Sequence, residues 1–142
     1  GYNNAGKVYA ISGVDGTQQW VSPIDGSPRF SAAIADVDKD GTNEVIVSAS
    51  DNFIYALDGK TGAAKWKSVE ADGKAAPSIA DIDEDGSPEV LGARKILNGL
   101  DGTTKFTTAA NINFAMNVNP DIDGIEVVTQ NHIINGVTRE HL

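Results

Sequence analysis

Two different motifs recur in step along this chain, and their interleaving constrains the architecture more tightly than any other feature. The first runs Ser31-Ala-Ala-Ile-Ala-Asp-Val-Asp-Lys-Asp-Gly-Thr-Asn-Glu-Val-Ile-Val47 and returns as Pro77-Ser-Ile-Ala-Asp-Ile-Asp-Glu-Asp-Gly-Ser-Pro-Glu-Val-Leu91. A worn third copy reads Met116-Asn-Val-Asn-Pro-Asp-Ile-Asp-Gly-Ile-Glu-Val-Val128. The leading residues Asp36, Asp81 and Asn119 stand 45 and 38 positions apart. The second motif appears as Val8-Tyr-Ala-Ile…Asp15-Gly-Thr-Gln-Gln-Trp20 and as Ile54-Tyr-Ala-Leu-Asp-Gly-Lys-Thr-Gly-Ala-Ala-Lys-Trp66. It continues as Ile96-Leu-Asn-Gly-Leu-Asp-Gly-Thr-Thr-Lys-Phe106 and Ile133-Ile-Asn-Gly-Val-Thr-Arg-Glu-His-Leu142. A period of this length marks a row of like units, each needing neighbours to bury its faces.

No stretch sustains a helical spacing of apolar residues. Short β-branched runs at 44–47, 53–57 and 126–129 are bounded instead by Gly, Asp and Asn, and these read as strands and hairpins. Each repeat supplies an inner Ala/Ser-rich strand, a strand after the acidic loop, the Tyr-Ala-Leu strand, and a strand ending in Trp or its substitute. The expected fold is therefore all-β, a β-propeller with blades of four antiparallel strands and about 3.5 blades in this chain. The expected organisation is one propeller segment over 1–142, with a half blade at 1–29, blades at 30–70 and 71–110, and a degenerate blade at 111–142. Trp20, Trp66 and Phe106 are expected between blades, as packing residues. Fewer blades than a closed ring needs implies either the rest of a longer propeller chain or self-association as the source of closure.

The acidic loops carry the chemistry. Asp36-x-Asp38-x-Asp40-Gly41-x-x-Glu44 and Asp81-x-Asp83-x-Asp85-Gly86-x-x-Glu89 have the spacing of an oxygen-ligand cation loop. Carboxylates at positions 1, 3 and 5 converge when the backbone coils tightly, and Gly at 6 permits the turn. Backbone carbonyls of Thr42 and Ser87, with the carboxylates of Glu44 and Glu89, would complete a shell suited to calcium. An EF-hand needs Glu at position 12, where Val47 and Gly92 stand, so the site is a β-hairpin loop. The third loop, Asn119-x-Asp121-x-Asp123-Gly124-x-Glu126, is one residue short and is expected to bind more weakly or not at all. Two Ca2+ sites and a weaker third are thus expected.

Charge agrees with this reading. Of the 142 residues, 20 are Asp or Glu against 11 Lys or Arg, a net charge of −9. Eleven of these carboxylates stand at ligand-type positions of the three loops, and setting them aside leaves nine acidic side chains against the chain's eleven basic ones. That balance argues against nucleic acid as partner, and no apolar run is long enough for membrane insertion by a helix. No charged-then-apolar leader precedes Gly1, so any secretion signal is expected to have been removed or to lie outside this sequence. The absence of Cys excludes disulfides, thiolate metal sites and Cys nucleophiles. No nucleophile elbow, phosphate loop or His-Glu-x-x-His motif occurs, and His132 and His141 stand alone, so no enzyme activity is expected.

The loops Ala35-Asp-Val-Asp-Lys-Asp-Gly-Thr-Asn-Glu-Val-Ile-Val47 and Ala80-Asp-Ile-Asp-Glu-Asp-Gly-Ser-Pro-Glu-Val-Leu91 resemble FG-GAP (VCBS-type) repeats, the blades of integrin α-subunit-like propellers. The outer strand Ile54–Trp66 resembles the Ala-x-Asp…Gly…Trp repeat of quinoprotein-type propellers. Together the two resemblances cover nearly the whole chain. They imply calcium between the first and second blade strands, and an extracellular or cell-surface setting in adhesion, matrix or carbohydrate binding. Glu44 and Glu89 stand where integrin loops usually carry Asp, and Gly92-Ala-Arg94 is a shortened hairpin.

The expected function is a non-catalytic, calcium-stabilised propeller segment of a secreted or surface protein, with a structural, adhesive or assembly role that extends to an oligomer or filament. Its candidate ligands are an extracellular protein or a glycan. The alternatives are a lectin-like carbohydrate-binding module and the calcium-binding framework of a polysaccharide-degrading enzyme.

Overall fold

The computed structural model describes residues 5–69, 72–116, 125–129 and 133–135. Within them lie thirteen strands and no helix. They are β1 (Gly6–Ile11), β2 (Gln18–Ile24), β3 (Ala33–Ala35), β4 (Glu44–Ser48), β5 (Ile54–Asp58), β6 (Ala64–Lys67) and β7 (Ser78–Ala80), followed by β8 (Glu89–Leu91), β9 (Lys95–Asn98), β10 (Thr104–Thr107), β11 (Ile112–Met116), β12 (Glu126–Thr129) and β13 (Ile133–Asn135). Every pairing is antiparallel between neighbours in sequence. The result is a row of meander sheets: β1-β2, β3-β4-β5-β6, β7-β8-β9-β10 and β11-β12-β13.

Alternation along the middle strands explains why these sheets stack. In β5, Tyr55 and Leu57 join Trp20 and Ile24 of the first sheet, while Ile54 and Ala56 join Val90 and Leu97 of the third. In β8 and β9, Val90 and Leu97 face the second sheet, whereas Leu91 and Ile96 join Val127 of the fourth. Successive side chains point to opposite faces of a strand, so a strand covered on both sides must be apolar throughout. The continuous apolar run at 54–57, with the apolar pairs 90–91 and 96–97, is therefore the signature of sheets sandwiched between sheets. The short inner strands β3 and β7 run side by side at one edge of the row, where Ala33, Ala35 and Ala80 leave room for close approach.

Each of the first two seams is locked from the outer strand. Trp20 of β2 donates its Nε1–H to the carbonyl of Gly59 at 2.9 Å, and Trp66 of β6 donates to Gly99 at 2.8 Å. Each indole lies flat on a turn glycine of the next sheet. A Cβ on Gly62 would come within 2.5 Å of Trp20, and one on Gly102 within 2.6 Å of Trp66. Both glycines also have positive φ, +73° and +70°, a conformation that side-chain-bearing residues adopt at a penalty. The Asp58-Gly-x-x-Gly62 and Asn98-Gly-x-x-Gly102 turns are thus shaped for an aromatic from the preceding sheet.

Antiparallel order places the loops in two groups. The acidic loops β3–β4 and β7–β8 share one end of the sheets with the turns β5–β6 and β9–β10. The hairpins β4–β5 and β8–β9, together with the connections between sheets, occupy the other end. Among the described residues no helix is long and apolar enough to cross a membrane.

Candidate metal centre

Each acidic loop coils back on itself through its own carboxylates. Asp36 accepts the N–H of Asp40 on Oδ1 (3.1 Å) and that of Gly41 on Oδ2 (3.0 Å). Asp40 Oδ1 accepts from Thr42 N–H at 2.7 Å. The second loop repeats the pattern, Asp81 Oδ2 taking Gly86 N–H at 2.9 Å and Asp85 Oδ1 taking Ser87 N–H at 2.7 Å. Such short-range bonds are characteristic of Asp in turns. The coil also requires left-handed backbone at positions 4 and 6. Lys39 and Gly41 have φ of 61° and 85°, and Glu84 and Gly86 have 55° and 84°.

This winding brings the aspartates together. One carboxylate oxygen from each of Asp36, Asp38 and Asp40 lies within 4.8 Å of the others, and the same holds for Asp81, Asp83 and Asp85. Glu44 and Glu89, expected as the ninth-position ligands, open β4 and β8 and are fully buried. Each reaches back across its loop. Glu44 Oε2 accepts Val37 N–H and Glu89 Oε2 accepts Ile82 N–H, both at 3.0 Å. One oxygen of each glutamate therefore closes the loop, and the other faces the aspartates.

A lysine from the outer strand of the same sheet enters each cluster. Lys65 Nζ lies 2.6 Å from Asp38 Oδ2, 2.5 Å from Asp40 Oδ2 and 3.0 Å from Glu44 Oε1, the last an ion pair outside hydrogen-bond geometry. Lys105 Nζ lies 2.7 Å from Glu89 Oε1, 3.1 Å from Asp83 Oδ2 and 3.7 Å from Asp85 Oδ2. The bonds to Asp38 and Asp40 push the Lys65 ammonium's pKa up. Burial opposes protonation of Lys105, but its bonds to Glu89 and Asp83 outweigh burial and raise its pKa as well. In return Asp40 is held below the ordinary carboxylate range, first by Lys65 and then by Thr42 N–H. Burial pushes Glu89 above that range.

The residues present fit a divalent cation. Lys65 and Lys105 each pair with two aspartates and the glutamate of their loop, so the carboxylates still outnumber the ammonium groups paired with them. Like charges about 4 Å apart near a protein surface repel by about 4 kcal/mol per pair at an effective dielectric of about 20. In the second loop Asp81 Oδ1 and Asp83 Oδ1 are buried without a hydrogen-bond partner. An all-oxygen donor set of this kind suits a hard cation. Of the third loop, Asn119, Asp121 and Asp123 lie outside the described residues. Its Glu126 opens β12 and is buried, as Glu44 and Glu89 are in their strands.

Lys65 and Lys105 are the site residues that loop spacing alone misses. Their signal is nonetheless in the sequence, since each stands immediately before the aromatic that ends its repeat, Lys65-Trp66 and Lys105-Phe106. In the first sheet, whose outer strand carries Trp20, the same position holds Gln19.

The model of the lambda-carrageenase β-propeller domain matches residues 2–80. The chain belongs to that family. No curated protein matches it in sequence. Among solved structures, the V. cholerae biofilm matrix protein Bap1 is similar over 99% of this chain, with 26% identity and a TM-score of 0.77. BamB from Moraxella catarrhalis is similar over 98%, with 18% identity and a TM-score of 0.63. The chain spans 24% of the Bap1 chain and 48% of the BamB chain. The fold is thus part of an all-β propeller, and the sheets are its blades.

Proposed function

We propose that this propeller segment is a non-catalytic, calcium-stabilised element of a secreted or surface protein, serving structure, adhesion or assembly in an extracellular matrix. The observation that carries the reading is the convergence of three aspartates in the same loop of two consecutive blades. Turn chemistry alone would account for one such loop. Two matched copies, each with a buried glutamate closing it and at least one buried carboxylate oxygen that accepts no hydrogen bond, favour a bound cation. On this reading the loops are FG-GAP/VCBS-type calcium loops on blades with quinoprotein-like outer strands. The similarity to a protein described as a biofilm matrix component supports the extracellular setting.

The test is solution molar mass by light scattering, in millimolar calcium and then in chelator. An oligomer or polymer in calcium that dissociates on chelation is the expected result. A monomer whose mass and melting temperature ignore chelation would defeat both the metal and the assembly. Membership of a carrageenase propeller family favours a second reading, in which the segment is the calcium-binding framework of a polysaccharide-degrading enzyme. Release of reducing ends from lambda-carrageenan by the isolated chain would support it, whereas the first reading expects none.

A further inference from the structure

The two acidic loops share a sequence pattern but differ in how their carboxylates are satisfied. In the first, the N–H of Asp40 lies between two aspartates, 3.1 Å from Asp36 Oδ1 and 3.2 Å from Asp38 Oδ1. The corresponding oxygens of the second loop are Asp81 Oδ1 and Asp83 Oδ1, and both are buried without a hydrogen-bond partner. The loops are otherwise wound alike, Gly41 donating to Asp36 Oδ2 at 3.0 Å and Gly86 to Asp81 Oδ2 at 2.9 Å. In the first loop the one carboxylate oxygen left without a hydrogen bond is Glu44 Oε1, and Lys65 Nζ stands 3.0 Å from it.

The lysines differ in the same sense. Lys65 Nζ bridges two aspartates, at 2.6 Å from Asp38 Oδ2 and 2.5 Å from Asp40 Oδ2. Lys105 Nζ lies closest to the buried Glu89, at 2.7 Å, and reaches Asp83 at 3.1 Å and Asp85 only at 3.7 Å. Lys39 of the first loop extends towards the turn of the second, where a Cβ on Gly86 would lie 3.3 Å from its Nζ. Among the described residues Lys39 forms no ion pair.

These differences set opposite costs for a cation. One entering the first loop must take Asp38 and Asp40 from Lys65, and charge-assisted bonds are the stronger kind. It must also compete with the Asp40 N–H for Asp36 and Asp38. One entering the second loop disturbs a single, longer aspartate bond of Lys105 and gives partners to two buried oxygens that have none. Leaving a buried carboxylate oxygen unsatisfied is costly, so binding there relieves a penalty.

We propose that the two loops are unequal calcium sites which fill in order. The second loop, with Asp81, Asp83, Asp85 and Glu89, binds first and more tightly. The first loop keeps Lys65 as its resident cation and takes calcium only at higher concentration, when the ammonium is displaced. This ordering rests on the reading of the loops as calcium sites and adds to it a hierarchy that the matched spacing of the two motifs does not contain.

The experiment titrates the metal-free chain with calcium and follows the amide NMR signals of Gly41 and Gly86, whose N–H groups belong to separate loops. Gly86 should saturate at a concentration about tenfold or more below Gly41, as one charge-assisted hydrogen bond to be broken would give. The unaltered chain suffices for this measurement, so no variant has to fold. Calorimetry then assigns the phases: Asp83→Asn should lose the tight one and Asp38→Asn should keep it. Lys65→Met, added to Asp83→Asn, should tighten the remaining first loop about tenfold. Lys105→Met, added to Asp38→Asn, should change the second loop less. Saturation of both glycines together, earlier saturation of Gly41, or equal gains from the two lysine replacements would overturn the ordering while leaving calcium binding intact. If neither glycine responds to calcium, the metal reading itself fails and the ordering falls with it.

Discussion

Trp66 on the outer strand of one blade donates its indole N–H to Gly99 in a turn of the next, at 2.8 Å, and Trp20 does the same to Gly59 at 2.9 Å. Replacing either Trp by Phe should destabilise the chain by about 1–2 kcal/mol, because a part-buried carbonyl loses its donor and the smaller ring underfills the seam. Gly62→Ala and Gly102→Ala should cost about 2 kcal/mol or more, since the added Cβ meets the indole and the backbone is left-handed. Urea unfolding of the four variants checks this. Equal stability of a Gly→Ala variant and the parent would show that the indole does not sit on the turn.

Lys65 supplies the positive charge inside the first acidic loop. Lys65→Met should lower the melting temperature in chelator, where the carboxylates face one another uncompensated. The same variant should gain more from millimolar calcium than the parent does, because the cation no longer competes with an ammonium. Asp38→Ala should abolish most of the calcium response of that loop. Melting curves with and without calcium measure all three. A Lys65 variant that is indifferent to calcium would leave the loop without a cation role.

Glu44 has two separable duties, and substitutions divide them. Glu44→Ala leaves the N–H of buried Val37 without its acceptor and should destabilise by about 1–3 kcal/mol. Glu44→Gln keeps an acceptor for that N–H but removes the charge facing Lys65, so it should retain more stability while changing the calcium response. Should Gln prove as damaging as Ala, the charge rather than the loop-closing bond governs the fold.

The acid limb of stability should bend in two directions. Asp40 and Asp85 are held below the ordinary range, Asp40 first by Lys65 and Asp85 first by Ser87 N–H. Their stabilisation is complete above their unfolded values and is lost as pH falls below about 4, through the lower folded values. Glu89 and Asp72 are pushed up by burial, so the folded chain binds those protons more tightly than the unfolded one. They contribute stability as pH falls through their raised values, and that contribution disappears as pH rises past them. Chelator-treated protein should therefore hold or gain stability on mild acidification and then lose it steeply. Denaturant midpoints across the acid range, for the parent and Glu89→Gln, test the sign; the mild-acid gain should shrink in the variant.

Much of this architecture is legible in the order of the amino acids, because period-two burial and turn residues leave strong marks. The run at Ile54–Leu57 announces a strand covered on both faces, and Asp-x-Asp-x-Asp-Gly announces a coiled loop. The division of labour inside that loop is not legible. Spacing assigns Glu44 and Glu89 to the metal shell, yet each spends one oxygen on a backbone N–H seven residues earlier, a contact that depends on how the first turn of the loop folds over the strand. Lys65 and Lys105 are likewise distant in sequence from the carboxylates they meet, joined to them only through sheet pairing.

The first two seams share a feature that matters under load. Trp20 and Trp66 each add a directional bond to their packing against the next sheet. Tension applied along the row of blades is carried in series, so each of these seams bears the same force and the one with the shallower well yields before the other. Replacing Trp66 alone by Phe should therefore make the seam between the second and third blades rupture before the one between the first and second, with a single apolar face newly open to water.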